Sequence, residues 1–213
     1  MAEFLNHTFF GFDNAIFIFM NNLSQTSGRF LTPFFKFVTT FGDKGLFFII
    51  LSLIFALFSK TRKTGVTMLL AIGIGALLTN VIIKNAVARP RPYLNPIYQQ
   101  YHVSVGGIIE SEFSFPSGHA TVATSSMVAL FLGFNKKWSW TGLVFAFTIG
   151  LSRIYLFVHY STDVIAGFIV GTIAGASAHF ILSALYRVMQ NKSENKFCYH
   201  FVNFDLIKFL RKK

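Results

Sequence analysis

Two long stretches of this chain contain no charged residue, and they constrain its fold more than any other feature. No Asp, Glu, Lys or Arg occurs between Lys63 and Lys84, or between Asp163 and Arg187. A helix needs about 20 apolar residues to cross the hydrocarbon core of a bilayer. Only 13% of the 213 residues are charged, whereas soluble domains carry about 25%. The sequence therefore predicts an integral membrane protein.

Hydropathy predicts five membrane spans, at residues 39–59, 64–84, 119–135, 138–158 and 163–187. The first is the least regular, because Asp43 and Lys44 fall inside it. Residues 1–38 are rich in Phe and Ile but contain Asp13, Asn14 and a polar run, which favours an N-terminal helical segment at the membrane interface. A sixth span results if this segment joins residues 30–41. The predicted fold is an all-α integral membrane protein, a bundle of five to six transmembrane helices forming one domain over residues 1–213.

The basic residues predict how this bundle is oriented. Most of the 19 Lys and Arg lie at residues 60–63, 136–137 and 187–213, all on one side of the predicted spans. Cytoplasmic loops carry an excess of Lys and Arg, so this side, with a basic tail at residues 190–213, is predicted to be cytoplasmic. The net charge of +11 thus reflects membrane topology, and we expect no nucleic-acid partner.

Cysteine and histidine spacing argues against a cofactor or metal site. The single cysteine, Cys198, excludes an internal disulfide. No Cys and His cluster has the spacing of zinc ligands. We therefore expect neither a metal nor a cofactor.

Two segments on the predicted outer side have the chemistry of anion sites. In the first, Lys84, Arg89 and Arg91 follow the second span, and the prolines at 90 and 92 end the helix and hold the basic side chains in an extended turn. In the second, Ser117 and Gly118 begin a helix whose free N–H groups and dipole favour negative charge. Both segments would suit a phosphate dianion.

A third outer segment, at residues 152–163, contains Arg153, His159 and Asp163. His159 and Asp163 are four residues apart, so in a helix they share a face, and the carboxylate could hold one ring nitrogen. The other nitrogen would then be free to attack an electrophile. Asp163 is also the only acidic residue between Glu112 and Glu194.

Together the three segments closely resemble the type 2 phosphatidic acid phosphatase family, which shares its site with vanadium-dependent haloperoxidases. The family pattern is KxxxxxxRP, PSGH and SRxxxxxHxxxD. Residues 84–92, 116–119 and 152–163 match it without a substitution. One short motif is weak by itself, but three in order on one predicted membrane face are specific.

The resemblance implies a role for each motif residue. His159 attacks phosphorus to form a phosphohistidine, and Asp163 orients and stabilises its imidazolium. His119 protonates the leaving oxygen and then activates water. The phosphoryl oxygens are implied to be held by Lys84, Arg91, Ser117, the Gly118 backbone N–H and Arg153. Arg89 lies outside the pattern and is interpreted as a contact for a second phosphate or for lipid headgroups.

The function that follows is a metal-independent lipid phosphate or diphosphate phosphatase at the extracytoplasmic face of a cell membrane, with a bacterial origin favoured by composition. Candidate substrates are undecaprenyl diphosphate, phosphatidylglycerol phosphate and phosphatidic acid, and the motifs do not choose among them. A phosphotransferase that uses the same phosphohistidine stays open as an alternative. So does a transporter or a non-catalytic lipid-binding protein. Haloperoxidase activity is disfavoured because that chemistry belongs to soluble proteins.

Overall fold

A computed structural model describes residues 1–191 of the chain, and within them every regular element is helical. The predicted basic tail at residues 190–213 lies almost wholly outside the described part. The α-helices are α1 (Ala2–Thr8), α2 (Phe10–Thr40), α3 (Leu46–Leu57), α4 (Arg62–Ala76), α5 (Lys84–Val87), α6 (Pro96–Ser104), α7 (Gly118–Gly133), α8 (Lys136–Tyr155) and α9 (Ser161–Asn191). Short 3₁₀ turns occur at Asp43–Gly45 and Pro92–Leu94, and a π-helical stretch at Leu77–Ile83 joins α4 to α5.

Two helical stretches in the described part are long and apolar enough to cross a membrane. They are Arg62–Leu94 and Ser161–Asn191. A third results if α2 and Asp43–Leu57, which are bent by 41° relative to each other, count as one broken span. The helices predicted around residues 64–84, 119–135, 138–158 and 163–187 are present as α4, α7, α8 and α9. The number of five to six spans stays a prediction.

The N-terminal region differs from the sequence-based division at residue 38. Helix α2 runs without a break for 31 residues, past the polar run near its middle. Two hydroxyls of that run are satisfied by the helix itself, since Ser24 donates to the Asn21 carbonyl at 2.8 Å and Thr26 to the Asn22 carbonyl at 3.0 Å. Such local bonds let polar residues sit inside a helix. The helix continues two residues past the division at 38. That division and the interfacial location of residues 1–38 both stay predictions.

The predicted span at residues 39–59 is interrupted by a sharp bend. Lys44 and Gly45 both have positive φ, at 51° and 67°, a conformation that ends the preceding helix. The chain then starts again as α3. This bend brings Asp43 and the end of α2 to the same place as the start of α7.

Helices α7 and α9 form the centre of the bundle and pack closely along a stripe of small residues. An added Cβ at Gly167, Gly171 or Gly175 would lie within 2.8 Å of the backbone of α7 or closer. Only glycine allows this separation between two helices. The close contact fixes the N-terminus of α7 beside the N-terminus of α9, which is where two of the three motifs meet.

The opposite end of the bundle holds the two basic turns around residues 60–63 and 136–137. Thr64 donates to the carbonyl of Gly133 at 2.8 Å and thereby ties these turns together. Lys63 also lies 6.0 Å from the ring of Tyr186 near the end of α9. The described basic turns and the motif residues are thus at opposite ends of the helices.

Candidate active site

The predicted site residues converge on one cavity of about 380 Å³. Residues from all three motifs line it, namely Lys84, Arg91, Gly118, His119 and His159. Arg153, Ser117 and Asp163 lie directly behind this lining and are buried. The structure therefore brings together residues from segments that are up to 79 positions apart in the residue numbering.

The first motif reaches the cavity through an irregular helix. The π-helical stretch Leu77–Ile83 widens α4 just before Lys84, and π-bulges of this kind are frequent at functional sites. Helix α5 then ends at Ala88, which has a left-handed φ of 51°. The chain continues extended through the prolines, so that the side chains of Lys84 and Arg91 both point to the cavity.

His159 lies in the turn between α8 and α9 and is 1% exposed. Its Nε2 is 2.9 Å from Nη1 of Arg91. Arginine has no hydrogen-bond acceptor, so Arg91 donates and Nε2 carries the free electron pair. The hydrogen of the neutral ring is then on Nδ1. Burial lowers the pKa of His159 well below its ordinary value of 6.5, and the nearby charges of Arg91, Arg153 and Lys84 act in the same direction.

Asp163 is fully buried in the first turn of α9, and Ser114 mediates part of its contact with His159. Oδ2 of Asp163 is 3.6 Å from Nδ1 of His159. Ser114 Oγ donates to that Oδ2 at 2.5 Å and lies 3.4 Å from Nδ1. The backbone N–H of Tyr160 donates to the same oxygen at 2.9 Å. Ser114 was not predicted, although it stands two residues before the PSGH motif.

Two cations that the family pattern assigns to phosphate are paired with two glutamates from the loop between α6 and α7. Lys84 contacts Glu112, and Arg153 contacts Glu110. Arg153 also donates to Thr39 Oγ1 at 2.6 Å. Burial would raise the pKa of Glu110, but the guanidinium of Arg153 outweighs that effect and holds the pKa below its ordinary value. Each glutamate thus places an anionic oxygen next to a cation that the family pattern assigns to phosphate.

His119 has a carboxylate partner that the sequence did not indicate. Its Nε2 donates to Oδ1 of Asp43 at 2.8 Å, across the bend between α2 and α3. Gly42 provides the space for the ring, because a Cβ at that position would overlap with the imidazole. The pair is far apart in the sequence, so only the tertiary structure reveals it.

Ser117 and Gly118 form the start of α7 as predicted. Ser117 is the N-cap and its Oγ accepts from the Ala120 N–H at 3.5 Å. That bond leaves its hydroxyl hydrogen to donate. A Cβ on Gly118 would lie 3.8 Å from Nζ of Lys84. The N-terminus of α7 and the lysine therefore face the same space.

The sequence suggests that Arg89 contacts a second phosphate or lipid headgroups, but the structure buries it in the protein. It is 1% exposed and its guanidinium is hydrogen-bonded to protein groups, among them Asp163 at 2.6 Å. Four of its five N–H groups donate to protein groups, so they are not available to a headgroup at the membrane surface. Arg89 lies behind Asp163, on the side away from the cavity.

The cavity has an apolar side as well as a charged side. Its apolar lining comes from α3, α4 and α7, and consists of Ile49, Ile72, Ala76 and Val122. Its charged side is the cluster of cations and histidines described above, together with Glu110 and Glu112. The cavity can accordingly hold a molecule with an anionic end and a hydrocarbon end.

Comparison with known proteins finds one family model and several similar proteins. The family model for the PAP2 superfamily matches residues 64–192. An undecaprenyl-diphosphatase of Sulfolobus acidocaldarius is 34% identical over 122 residues, which are 54% of this chain and 54% of that relative. This chain therefore spans about half the length of that relative.

Two further proteins are similar over more of their length. A lipid A 4'-phosphatase of Bacteroides thetaiotaomicron is 28% identical over 90% of this chain and 84% of the relative. The crystal structure of a transmembrane PAP2 type phosphatidylglycerolphosphate phosphatase from Bacillus subtilis is 25% identical, with a TM-score of 0.56. That similarity covers 85% of this chain and 96% of the other.

Proposed function

Because the chain belongs to the PAP2 superfamily, we propose that it is a lipid phosphate phosphatase that works through a phosphohistidine at His159. The observation that carries this proposal is the environment of the His159 ring. Nε2 holds its electron pair toward Arg91 and the cavity, while Nδ1 faces Ser114 and Asp163. A neutral histidine held in that tautomer is a nucleophile with one free nitrogen.

In the first half-reaction, Nε2 of His159 attacks phosphorus and the bond from phosphorus to the lipid oxygen breaks. The incoming phosphoryl oxygens take over the donors of Arg91, Lys84 and Arg153, which frees the electron pair of Nε2. Asp163 stabilises the positive charge that develops on the ring. Fixed cations that compensate the charge of the transition state replace the role that metal ions play in other phosphoryl transfers.

His119 supplies and then accepts the proton in this scheme. Its Nε2 is occupied by Asp43, which leaves Nδ1 to protonate the lipid oxygen as it departs. The resulting neutral ring then takes a proton from water, and the hydroxide attacks phosphorus. The bond between phosphorus and Nε2 of His159 breaks, inorganic phosphate leaves, and both histidines return to their starting state.

The shape of the cavity favours a lipid over a soluble phosphate ester. The apolar wall formed by Ile49, Ile72 and Val122 continues directly from the charged cluster. Burying a hydrocarbon chain there is favourable by about 25 cal/mol per Å². We propose polyprenyl diphosphates, phosphatidylglycerol phosphate and phosphatidic acid as the substrate class, and the names of the relatives support the first two.

The side of the membrane follows from the distribution of charge along the helices. The described basic turns near Lys63 and Lys136 lie at the end of the bundle opposite to the site. Because Lys and Arg accumulate on the cytoplasmic side, we propose that the site faces the extracytoplasmic side of a bacterial plasma membrane. Cysteine substitutions in the loop at residues 105–112, labelled in intact cells with an impermeant maleimide, would test this orientation.

Phosphate release from a panel of lipids by the purified protein tests the activity. We expect turnover in the presence of EDTA, and loss of at least about 10³-fold in His159→Ala. His179→Ala is the matched control, because His179 also lies in the second half of the chain but belongs to no motif. A strict requirement for a divalent metal, or full activity in His159→Ala, would contradict the proposal. Transfer of phosphate to an added alcohol instead of water would identify a phosphotransferase.

A further inference from the structure

Arg89 donates four hydrogen bonds to protein groups behind the proposed nucleophile. Its Nη1 donates to Oδ1 of Asp163 at 2.6 Å and to Oγ1 of Thr162 at 2.8 Å. Its Nη2 donates to Oδ2 of Asp13 at 3.0 Å, and its Nε donates to Oδ1 of Asn6 at 2.8 Å. The planar guanidinium therefore fixes the direction of the Asp163 carboxylate relative to three other groups.

Asp13 is the second member of this buried pair and comes from α2, far outside the motifs. It is 2% exposed. Its Oδ1 accepts from the backbone N–H of Thr162 at 2.9 Å, and its Oδ2 accepts from Oγ1 of the same residue at 2.8 Å. The Thr162 amide is one of the free N–H groups at the start of α9. Asp13 thus joins α2 both to Arg89 and to the helix turn that carries Asp163.

The charges of the group explain why two carboxylates surround one guanidinium. Buried charges are tolerated when they are paired and hydrogen-bonded. If Arg89 had Asp163 as its only partner, it would cancel much of the negative charge that His159 needs when its ring becomes positive. Because Asp13 shares the guanidinium, the trio of Asp13, Arg89 and Asp163 keeps a net negative charge.

We propose that Asp13 and Arg89 are positioning residues for the phosphatase reaction, which hold Asp163 in the orientation and charge state that His159 requires. Neither residue lines the cavity of the site, and neither belongs to the three motifs. The proposal rests on the phosphohistidine chemistry described above. It extends that chemistry to α2, part of the segment that the sequence predicts to lie at the membrane interface.

The test compares Arg89→Gln, Arg89→Lys and Asp13→Asn in the purified full-length protein. We measure kcat and KM with a short-chain phosphatidic acid and with a polyprenyl diphosphate, and the inhibition constant of inorganic phosphate. We expect Arg89→Gln to lower kcat about 10- to 100-fold, which is the usual loss when a group that orients a metal-binding side chain is removed. We expect KM and the inhibition constant of phosphate to change less than about twofold. The kcat of Arg89→Lys should lie between that of Arg89→Gln and that of the parent protein, because lysine keeps the charge but lacks the planar guanidinium with its several donors.

A double variant tests whether Asp13 acts through Arg89. If it does, Asp13→Asn added to Arg89→Gln costs no further kcat, since coupled residues are not additive. Full additivity of the two losses would overturn that part of the proposal.

Arg62→Gln is the control for removing a buried arginine. Arg62 is 5% exposed and donates to the carbonyl of Ala56 at 3.0 Å, at the opposite end of the bundle. We expect it to lower the thermal midpoint while kcat per folded molecule is kept. If Arg89→Gln behaves in the same way, Arg89 is structural only and the proposal fails. If it raises KM for the diphosphate with kcat unchanged, Arg89 binds substrate and the proposal also fails.

The outcome remains distinguishable from failure of the proposed function. Activity that persists in His159→Ala would remove the phosphohistidine scheme, whatever the Arg89 variants do. Activity that vanishes in His159→Ala but is unchanged in Arg89→Gln would leave the scheme intact and overturn only the positioning role.

Discussion

The two histidines of the site are each paired with a carboxylate, but their surroundings are opposite. The His159 and Asp163 side chains are 2% and 0% exposed, and Ser114, Arg89 and a backbone amide hold the carboxylate. The His119 and Asp43 side chains are 14% and 60% exposed, and Asp43 lies at the bend between two helices. One pair is built into the core of the bundle and the other lies at its opening.

The difference fits the role that we propose for each histidine. A nucleophile needs one orientation and one tautomer, which a buried and fully bonded partner provides. An acid and base must serve first the lipid oxygen and then water, so it needs access to both. The buried pair also interacts in a lower dielectric, where the same two charges attract more strongly than they do near water.

The largest expected effect is a difference in kcat between variants of Asp163 and Asp43. Asp163→Asn should lower kcat about 10³- to 10⁴-fold, because an amide in its place favours the wrong tautomer, as in other histidine-based catalysts. Asp43→Asn should cost at most about fivefold, since exposed ion pairs contribute little. Single-turnover measurement of phosphohistidine formation checks both. Equal losses in the two variants would show that burial does not distinguish the pairs.

A second prediction concerns the space around His119. Gly42→Ala places a methyl group where the ring now lies, so we expect kcat to fall about 10- to 100-fold, as for displacements near 1 Å. Gly73→Ala is the matched control, because no other atom lies within 4 Å of an added Cβ there. A steady-state assay of both variants suffices. If Gly42→Ala retains full kcat, the position of His119 in the structure is not the one used in catalysis.

A smaller effect is expected at the glutamates that occupy the cations. Substrate phosphate has to displace Glu112 from Lys84, so Glu112→Gln should lower KM and the inhibition constant of phosphate about two- to fivefold. The exposed Glu3→Gln serves as the charge control. A phosphate inhibition curve measured for each protein checks this prediction. An increase in KM for Glu112→Gln would mean that the carboxylate helps to bind substrate instead of competing with it.

The smallest effect is expected from mild acid. Burial and neighbouring cations keep the pKa of His159 well below 6.5, so the ring stays neutral and nucleophilic as the pH falls through that value. The acidic limb of single-turnover phosphohistidine formation should lie below pH 6.5, where an unperturbed histidine would already be half protonated. A limb at or above 6.5 would contradict the environment seen for His159.

The residues that the structure brings together at the cavity were easier to find in the sequence than the residues that contact them. Lys84, Arg91 and the residues around His119 and His159 could be found because each motif is a short local pattern of chemistry. Asp43, Ser114 and Thr39 could not, since their contacts with His119, Asp163 and Arg153 depend on helix packing. Local spacing does not encode such contacts. The same reason explains why the interpretation of Arg89 differed from the structure, since its burial cannot be deduced from its neighbours in the chain.

Helix α2 shows that hydropathy likewise misses tertiary contacts. Asp13 and the polar run after it lower the hydropathy of the segment, which favoured an interfacial location. In the structure, Asp13 is buried against Arg89 and Thr162, and the hydroxyls at 24 and 26 bond to their own helix. Hydropathy averages over a window and does not distinguish a paired buried charge from an exposed one.

Helix α2 and the bend after it contribute Asp13, Thr39 and Asp43 to the site, yet all three precede the region at residues 64–192 that defines the family. A fragment cut at that boundary would keep every motif but lose these three contacts to Arg89, Arg153 and His119. Chimeras between this chain and its relatives should therefore exchange the N-terminal segment together with the motif region. Among natural sequences, we expect changes at position 13 to accompany changes at position 89.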